Sequence, residues 1–352
     1  MSRMSNAQRA AKAHAKATGT FYRVCREWAE QGFLSNRKAL AFSPDQDPAE
    51  AVRLCAKATR TPEKACLEWA EQGFISKLRP VPDACSPRQR SLEAFLVHVL
   101  ANAFRDEQLD SVALGLVRVD PLPAQPVLHL HPEMANTVVR ELLPHYDHAY
   151  QGVRGLPGLR PDLEPGQELE PGQDLILIHT AGGASVRLRH PDPEWSPTLP
   201  DNTPQDVQLW RSHPKSPGPR ERPTLAFWLG ENELHGRKRR QDRDWLLSRL
   251  LRRPGLLNIT GRSHPWVNTY THAYLDVVFE WCCGTVISDV ADSLLHSGVV
   301  AATRDSGEGE ISTTGTLKLG EARATLRCQT NCRIDPLIRD QVMAENLARH
   351  SG

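Results

Sequence analysis

The sequence predicts an α+β protein, with tandem helix-turn-helix repeats at the N-terminus followed by a mixed α+β region with antiparallel hairpins. Three observations carry that expectation. Residues 15–35, AKATGTFYRVCREWAEQGFLS, return at 56–76 as AKATRTPEKACLEWAEQGFIS, a gapless offset of 41. An apolar stripe at helical spacing then marks Leu92, Phe95, Leu96, Val99, Leu100 and Ala103. Further on, runs of alternating apolarity flank turns rich in Gly and Pro.

Each repeat, about 6–35 and 47–76, reads as two helices joined by a turn. The first helix runs from about Asn6 to Ala17, and in the second copy from Pro48 to Ala58, where Asp47-Pro48 supplies an N-cap and a first-turn proline. Gly19 suits the tight turn at Thr18-Gly19-Thr20. The second helix spans about Phe21 to Gln31, with Val24, Cys25 and Trp28 on one face and Gly32 as its C-cap. Trp28 and Trp69 are expected in equivalent buried places.

Thr18-Gly19, Arg23, Arg26, Trp28, Glu30-Gln31-Gly32 and Phe33-Leu34-Ser35 resemble the helix-turn-helix of MerR-type and excisionase-like DNA-binding domains. The resemblance covers about 30 residues of the first copy and, more weakly, the second. Arg60 stands where the turn Gly was, and Asn36–Ser43 lacks the Gly-containing wing of that family. The resemblance implies a recognition helix whose N-terminal side chains, Phe21, Tyr22 and Arg23, face the major groove of double-stranded DNA. Charge agrees. Residues 1–40 hold eight Lys/Arg against Glu27 and Glu30, a net of +6, and cations that neutralise phosphates release counterions. Lys16, Thr20, Tyr22, Arg23, Arg26, Arg37 and Lys38 are the expected contact residues.

Residues 77–90 read as a Pro-containing linker, with the repeat region ending near residue 80 and the linker proper at 81–90. A helix follows from about Ser91 to Arg105, then β-like runs at Val112–Val119 and Val127–His131. His131-Pro132-Glu133 opens a helix reaching about Leu143. Pro157–Gln173 carries Glu-Pro-Gly-Gln twice and reads as a loop. Leu175–Thr180 and Ser185–His190 flank a Gly-Gly centre, a hairpin that closes the 91–190 region. Nine prolines over 191–223 predict a connection without regular elements. Residues 224–352 form a C-terminal α+β region, separate from 91–190 or continuous with it. There Thr224–Leu229 reads as a strand, Trp266 to about His296 as one or two buried helices, and Ile311–Arg327 as an antiparallel meander.

Three constellations bear on chemistry. Arg237, Lys238, Arg239 and Arg240 form a second basic run, continued around Trp245 by Arg243, Arg249, Arg252 and Arg253; a helix from about Asp242 to Arg252 would bury Leu246, Leu247 and Leu250 and project guanidinium groups outward, toward phosphate or solvent. His129 and His131 would share a strand face as metal ligands, with Glu133, His145, Asp147 and His148 near; satisfied histidines are the competing reading. Cys282, Cys283, Cys328 and Cys332 could clamp zinc or pack as small hydrophobes.

The balance of 43 Lys/Arg and 42 Asp/Glu excludes a polybasic coat protein and an acidic disordered chain. No apolar run is long enough to span a membrane and no signal core follows the basic N-terminus, so a cytoplasmic protein is expected, with reduced thiols. The Ala/Arg/Leu/Pro bias suits a GC-rich bacterial genome. Walker, dinucleotide-binding, zinc-protease and nucleophile-elbow motifs are missing, and no cofactor is expected. The expected function is a DNA-associated regulator, or an accessory factor of a mobile element or plasmid. The alternatives are a module binding protein, or itself, through its repeats, and a nucleic-acid-processing enzyme without a linear motif.

Overall fold

The computed structural model describes residues 81, 83–104, 114–163, 169–229, 237–258, 267–272, 276–282, 314–319 and 322–329, a set of single helical positions within the first 67 residues, and residues 290, 291, 294 and 299. The fold is α+β, with antiparallel and mixed sheets. The chain divides into two compact units. A mid-chain unit comprises Ala84–Phe104 and Val112–Arg252; a terminal unit comprises Met1–Asp83, Arg105–Ser111 and Arg253–Gly352.

The mid-chain unit opens with helix α1, Pro87–Ala103. It begins five residues before the apolar stripe does, because Ser86 caps it and Pro87 fills the first turn. The Ser86 hydroxyl accepts from the Gln89 N–H at 3.1 Å. Those residues were expected in a linker. Leu92, Phe95, Leu96 and Leu100 are buried, each contributing about 1.5–3 kcal/mol.

Strands β1 (Leu116–Asp120) and β2 (Val127–Leu130) pair antiparallel. A 3-10 turn, Pro132–Met134, leads into α2, Ala135–Leu142. Short strands β3 (His145–Asp147), β4 (Gly152–Arg154) and β8 (Asp206–Gln208) form a three-stranded sheet in the order β4-β3-β8. After β4 the chain passes Gly155 at φ +73, where a Cβ would lie 2.4 Å from the Leu143 carbonyl oxygen, so only glycine fits.

Strands β5 (Leu159–Pro161), β6 (Leu175–His179) and β7 (Ser185–Arg189) complete a five-stranded sheet ordered β1-β2-β7-β6-β5, in which β2 and β7 alone run parallel. The β6–β7 hairpin lies where its Gly-Gly turn predicted. Leu175, Leu177, Val186 and Leu188 are fully buried while Ile176, Ile178, Arg187 and Arg189 are half-buried, so one face of the hairpin carries the core.

The proline-rich stretch is more ordered than its composition predicts. It contains β8 and the single turn α3, Leu209–Ser212, placed in gaps between prolines. Residues 224–229 are helical rather than extended, within α4, Glu221–Leu229. Pro223 lies in its first turn, where a missing N–H costs nothing. Helix α5, Arg237–Leu251, packs along α1. It starts earlier than Asp242 and takes in the whole basic run.

In the terminal unit, β9 (Val267–His272), β10 (Asp276–Cys282), β11 (Thr314–Leu319) and β12 (Ala322–Gln329) form a sheet ordered β11-β12-β10-β9. This corrects the expected helices over 266–296 at Val267–His272 and Asp276–Cys282. Val277, Val278, Phe279, Glu280 and Trp281 are all buried, so β10 is covered on both faces and shows no alternation. Strand β12 pairs parallel with β10 and antiparallel with β11. The antiparallel pairing of β11 with β12 falls within the expected meander over Ile311–Arg327.

Candidate functional site

Tyr22 and Arg26 are both helical and exposed, Tyr22 by 42%. Four residues apart, they have the spacing of one helix face. The repeat offset carries them to Glu63 and Leu67, which are also helical and exposed, Leu67 by 46%. Lys64, the counterpart of Arg23, is exposed, and Cys66, the counterpart of Cys25, is fully buried. Both copies therefore present the same two positions outward. The first offers an aromatic ring and a cation, the second a carboxylate and an apolar side chain. Lys16, Thr20, Arg23, Arg37, Lys38, Trp28 and Trp69 lie outside the described residues, as does the turn between the helices.

The basic helix departs from expectation. Leu246, Leu247 and Leu250 are buried, but so are Arg243, Arg249 and Arg252, which were to project outward. Each has a reason to be inside. Arg243 donates through Nε to Asp244 at 2.8 Å and lies 5.4 Å from the Phe95 ring. Arg249 stacks on Trp245 at 4.8 Å. Arg252 clasps Glu93 of α1, both fully buried, through Nε–Oε2 at 2.8 Å and Nη2–Oε1 at 2.7 Å. It also donates to the carbonyls of Pro121 and Leu122, and Ser248 donates to Glu93 at 2.6 Å. A buried carboxylate opposite a planar donor fork supplies what an arginine needs away from water. Arg243 is thus part of the interior, not of a phosphate-binding surface. Arg237, Lys238 and Arg239 lie on the helix backbone, and their side chains are outside the described set.

Arg240 stands apart. It is half-exposed and lines a cavity of about 210 Å³ in the mid-chain unit. The first turn of α1 contributes Pro87, Arg88 and Ser91; the β6–β7 turn contributes Ala181 and Gly182; Trp228 and Leu229 close it from α4. Phe95, Leu92 and His179 also line it. Phe95 and Trp228 meet at 4.9 Å between ring centres. His179 is buried, and its Nε2 lies 3.1 Å from the Pro157 carbonyl oxygen. Since a carbonyl only accepts, Nε2 carries the proton. Burial, and after it the nearby Arg160 charge, outweigh that hydrogen bond and the Glu221 charge and keep the ring's pKa below its ordinary value. The imidazole is neutral, so the cationic charge of the cavity comes from Arg88 and Arg240.

No family model, curated protein or solved structure matches this chain.

The histidine constellation is dispersed into structural roles. His129 Nε2 lies 2.8 Å from Asp120, which Arg118 also approaches at 3.4 Å. His131 falls just beyond the strand, and its Nδ1 is buried without a hydrogen bond. His145 Nδ1 donates to the Leu143 carbonyl at 3.1 Å, and His148 meets the Tyr146 ring edge-on at 5.1 Å. Asp147 accepts from the N–H groups of Ala149 and Tyr150. Among the described residues no three His, Cys, Asp or Glu side chains gather to hold a metal ion. Strand register sets Cys328 beside Trp281 and Cys282 beside Gln329, so the two cysteines are not cross-strand partners. Cys283 and Cys332 lie outside the described residues.

The cavity was not legible in the sequence. Arg88 stood in a presumed linker, and nothing local ties His179 and Trp228 to it. The run at 237–243 drew attention to Arg240 through charge, not through its surroundings.

Proposed function

We propose that this chain is a DNA-associated protein whose first repeat meets the phosphate backbone and base edges while its second repeat meets protein. The carrying observation is the pair of equivalent exposed helix positions, Tyr22/Arg26 against Glu63/Leu67. A carboxylate facing phosphate is repulsive, whereas an arginine releases a counterion and an aromatic ring packs on sugar or base. The net charge of +6 over residues 1–40 and the resemblance of the first copy to DNA-reading helices support the same division of labour. Leu67 favours the second reading, protein docking, for copy two: an exposed leucine replaces the arginine of its twin.

The test is a mobility shift of the full chain on duplex DNA at two salt concentrations. Arg23→Ala with Arg26→Ala should cost about 1–3 kcal/mol and make the salt slope shallower by about one unit per lost phosphate contact. Arg60→Ala with Lys64→Ala should cost less. If the second pair proves the more damaging, the roles of the repeats are reversed. If neither matters, the repeats serve protein alone.

A further inference from the structure

We infer that the cavity between the first turn of α1, the β6–β7 turn and the end of α4 is a binding site for a small aromatic carboxylate. Its lining combines two kinds of chemistry. Arg88 is exposed and Arg240 half-exposed, and neither has an ion-pair partner among the described residues. Among the described residues, the carboxylates of α1 and α5 that flank this region are engaged elsewhere. Glu93 is held by Arg252, Ser248 and Gln89, and Asp244 by Arg243 and Ser91. Two guanidinium groups thus remain at one cavity without a counterion among the described residues. Arg forks match the planar oxygens of a carboxylate.

The start of α1 adds to the same field. Pro87 has no N–H, and the Gln89 N–H is taken by the Ser86 hydroxyl, while Arg90 N–H is the first to bond back into the helix. Pro87, Arg88 and Ser91, near the positive end of this 17-residue helix, line the cavity, so the helix dipole adds to the charge of the two arginines there.

The rest of the lining is apolar and ring-bearing. Phe95 and Trp228 lie 4.9 Å apart at a tilt of 56°, and His179 sits 6.5 Å from Phe95 as an uncharged ring. Such edges and faces receive an aromatic ring in offset or edge-on contact. Size is adequate. A cavity of about 150 Å³ holds benzene, so about 210 Å³ accommodates one ring with a carboxylate. Gly182 keeps the turn close, since a Cβ there would lie 3.2 Å from Arg88 Cδ.

This site is separate from the repeats and is tested without DNA. Isothermal titration of the full chain uses benzoate as the probe, with benzamide, acetate and inorganic phosphate as comparators. Benzoate should bind one to one, and at least tenfold more tightly than each comparator. Benzamide lacks the charge; acetate and phosphate lack the ring. Arg88→Ala with Arg240→Ala should weaken benzoate at least tenfold while far-ultraviolet circular dichroism stays unchanged, because both side chains reach solvent. Benzamide binding as tightly as benzoate overturns the arginine role. Phosphate or acetate equal to benzoate overturns the ring pocket. Undiminished benzoate affinity in the double variant, or no benzoate binding at all, overturns the site.

Discussion

His98 is one turn beyond the cavity-lining residues of α1, edge-on to Trp228 at 5.4 Å and beside Arg243. Burial first, and the Arg243 charge second, lower its pKa from 6.5 to about 3. Asn102 approaches its Nδ1 at 3.4 Å, as a neutral ring permits. In the unfolded chain His98 binds a proton below about pH 6.5; in the folded chain it stays neutral down to about pH 3. The unfolded state thus binds more protons across that window. Stability from this group is complete above about pH 6.5 and is lost progressively toward pH 3. His179 acts in the same direction, since its pKa is also lowered. Urea melts of wild type and His98→Leu at pH 7.5 and pH 5 should show a smaller acid loss in the variant. Equal losses in both would remove His98 as the acid-sensitive group.

Between elements, Glu93–Arg252 is a fully buried polar tie that fastens α1 to the residue that follows α5. Gln89 extends it, donating from Nε2 to Glu93 at 3.1 Å and to the Ser185 carbonyl at 3.1 Å. Removing one partner leaves a buried charge uncompensated. Glu93→Leu should therefore cost about 3–5 kcal/mol of unfolding free energy. Glu93→Leu with Arg252→Leu should recover a good part of that, the Pro121 and Leu122 carbonyls remaining to be satisfied. An additive double variant in denaturant titration would show the pair to be uncoupled.

The same tie explains what could be read in advance at this scale. The α1 stripe and the β6–β7 hairpin were legible because their apolar residues repeat with the period of the element. Strand β10 was not, because a strand covered on both faces has no period to read. Glu93, Arg243 and Arg252 were not either. A charged letter predicts a solvated side chain until the fold brings distant neighbours alongside, here Glu93 for Arg252 and the Phe95 ring for Arg243. Arg160 and Glu221 repeat the lesson: an arginine in a strand and a glutamate opening α4 meet at 2.6 Å, with the Gly158 and Gly218 N–H groups completing the carboxylate's hydrogen bonds.

At the scale of the whole molecule, sequence order and unit membership diverge. The mid-chain unit is interrupted once, at residues 105–111, and the terminal unit is assembled from three stretches. Linear reading finds boundaries where composition shifts, so it placed them at the linker and the proline-rich stretch, and the latter lies inside a unit. The parallel pairing of β10 with β12 has a consequence for synthesis on the ribosome. The β9–β10 hairpin closes from neighbouring residues as soon as it emerges. The other edge of β10, with Val277, Phe279 and Trp281 along the strand, waits for β12, whose first residue lies 40 positions after Cys282. At about 5–20 residues per second, that is a delay of about 2–8 s in which an apolar strand edge is open to other nascent chains. A chain stopped after Thr313 never closes it. It should partition into the insoluble fraction on expression while the full chain does not, and a soluble monomeric product would show that the edge is covered by something other than β12. Within those seconds the newborn chain relies on slow encounter or on a chaperone, and a faster translation rate over codons 283–321 would shorten its exposure.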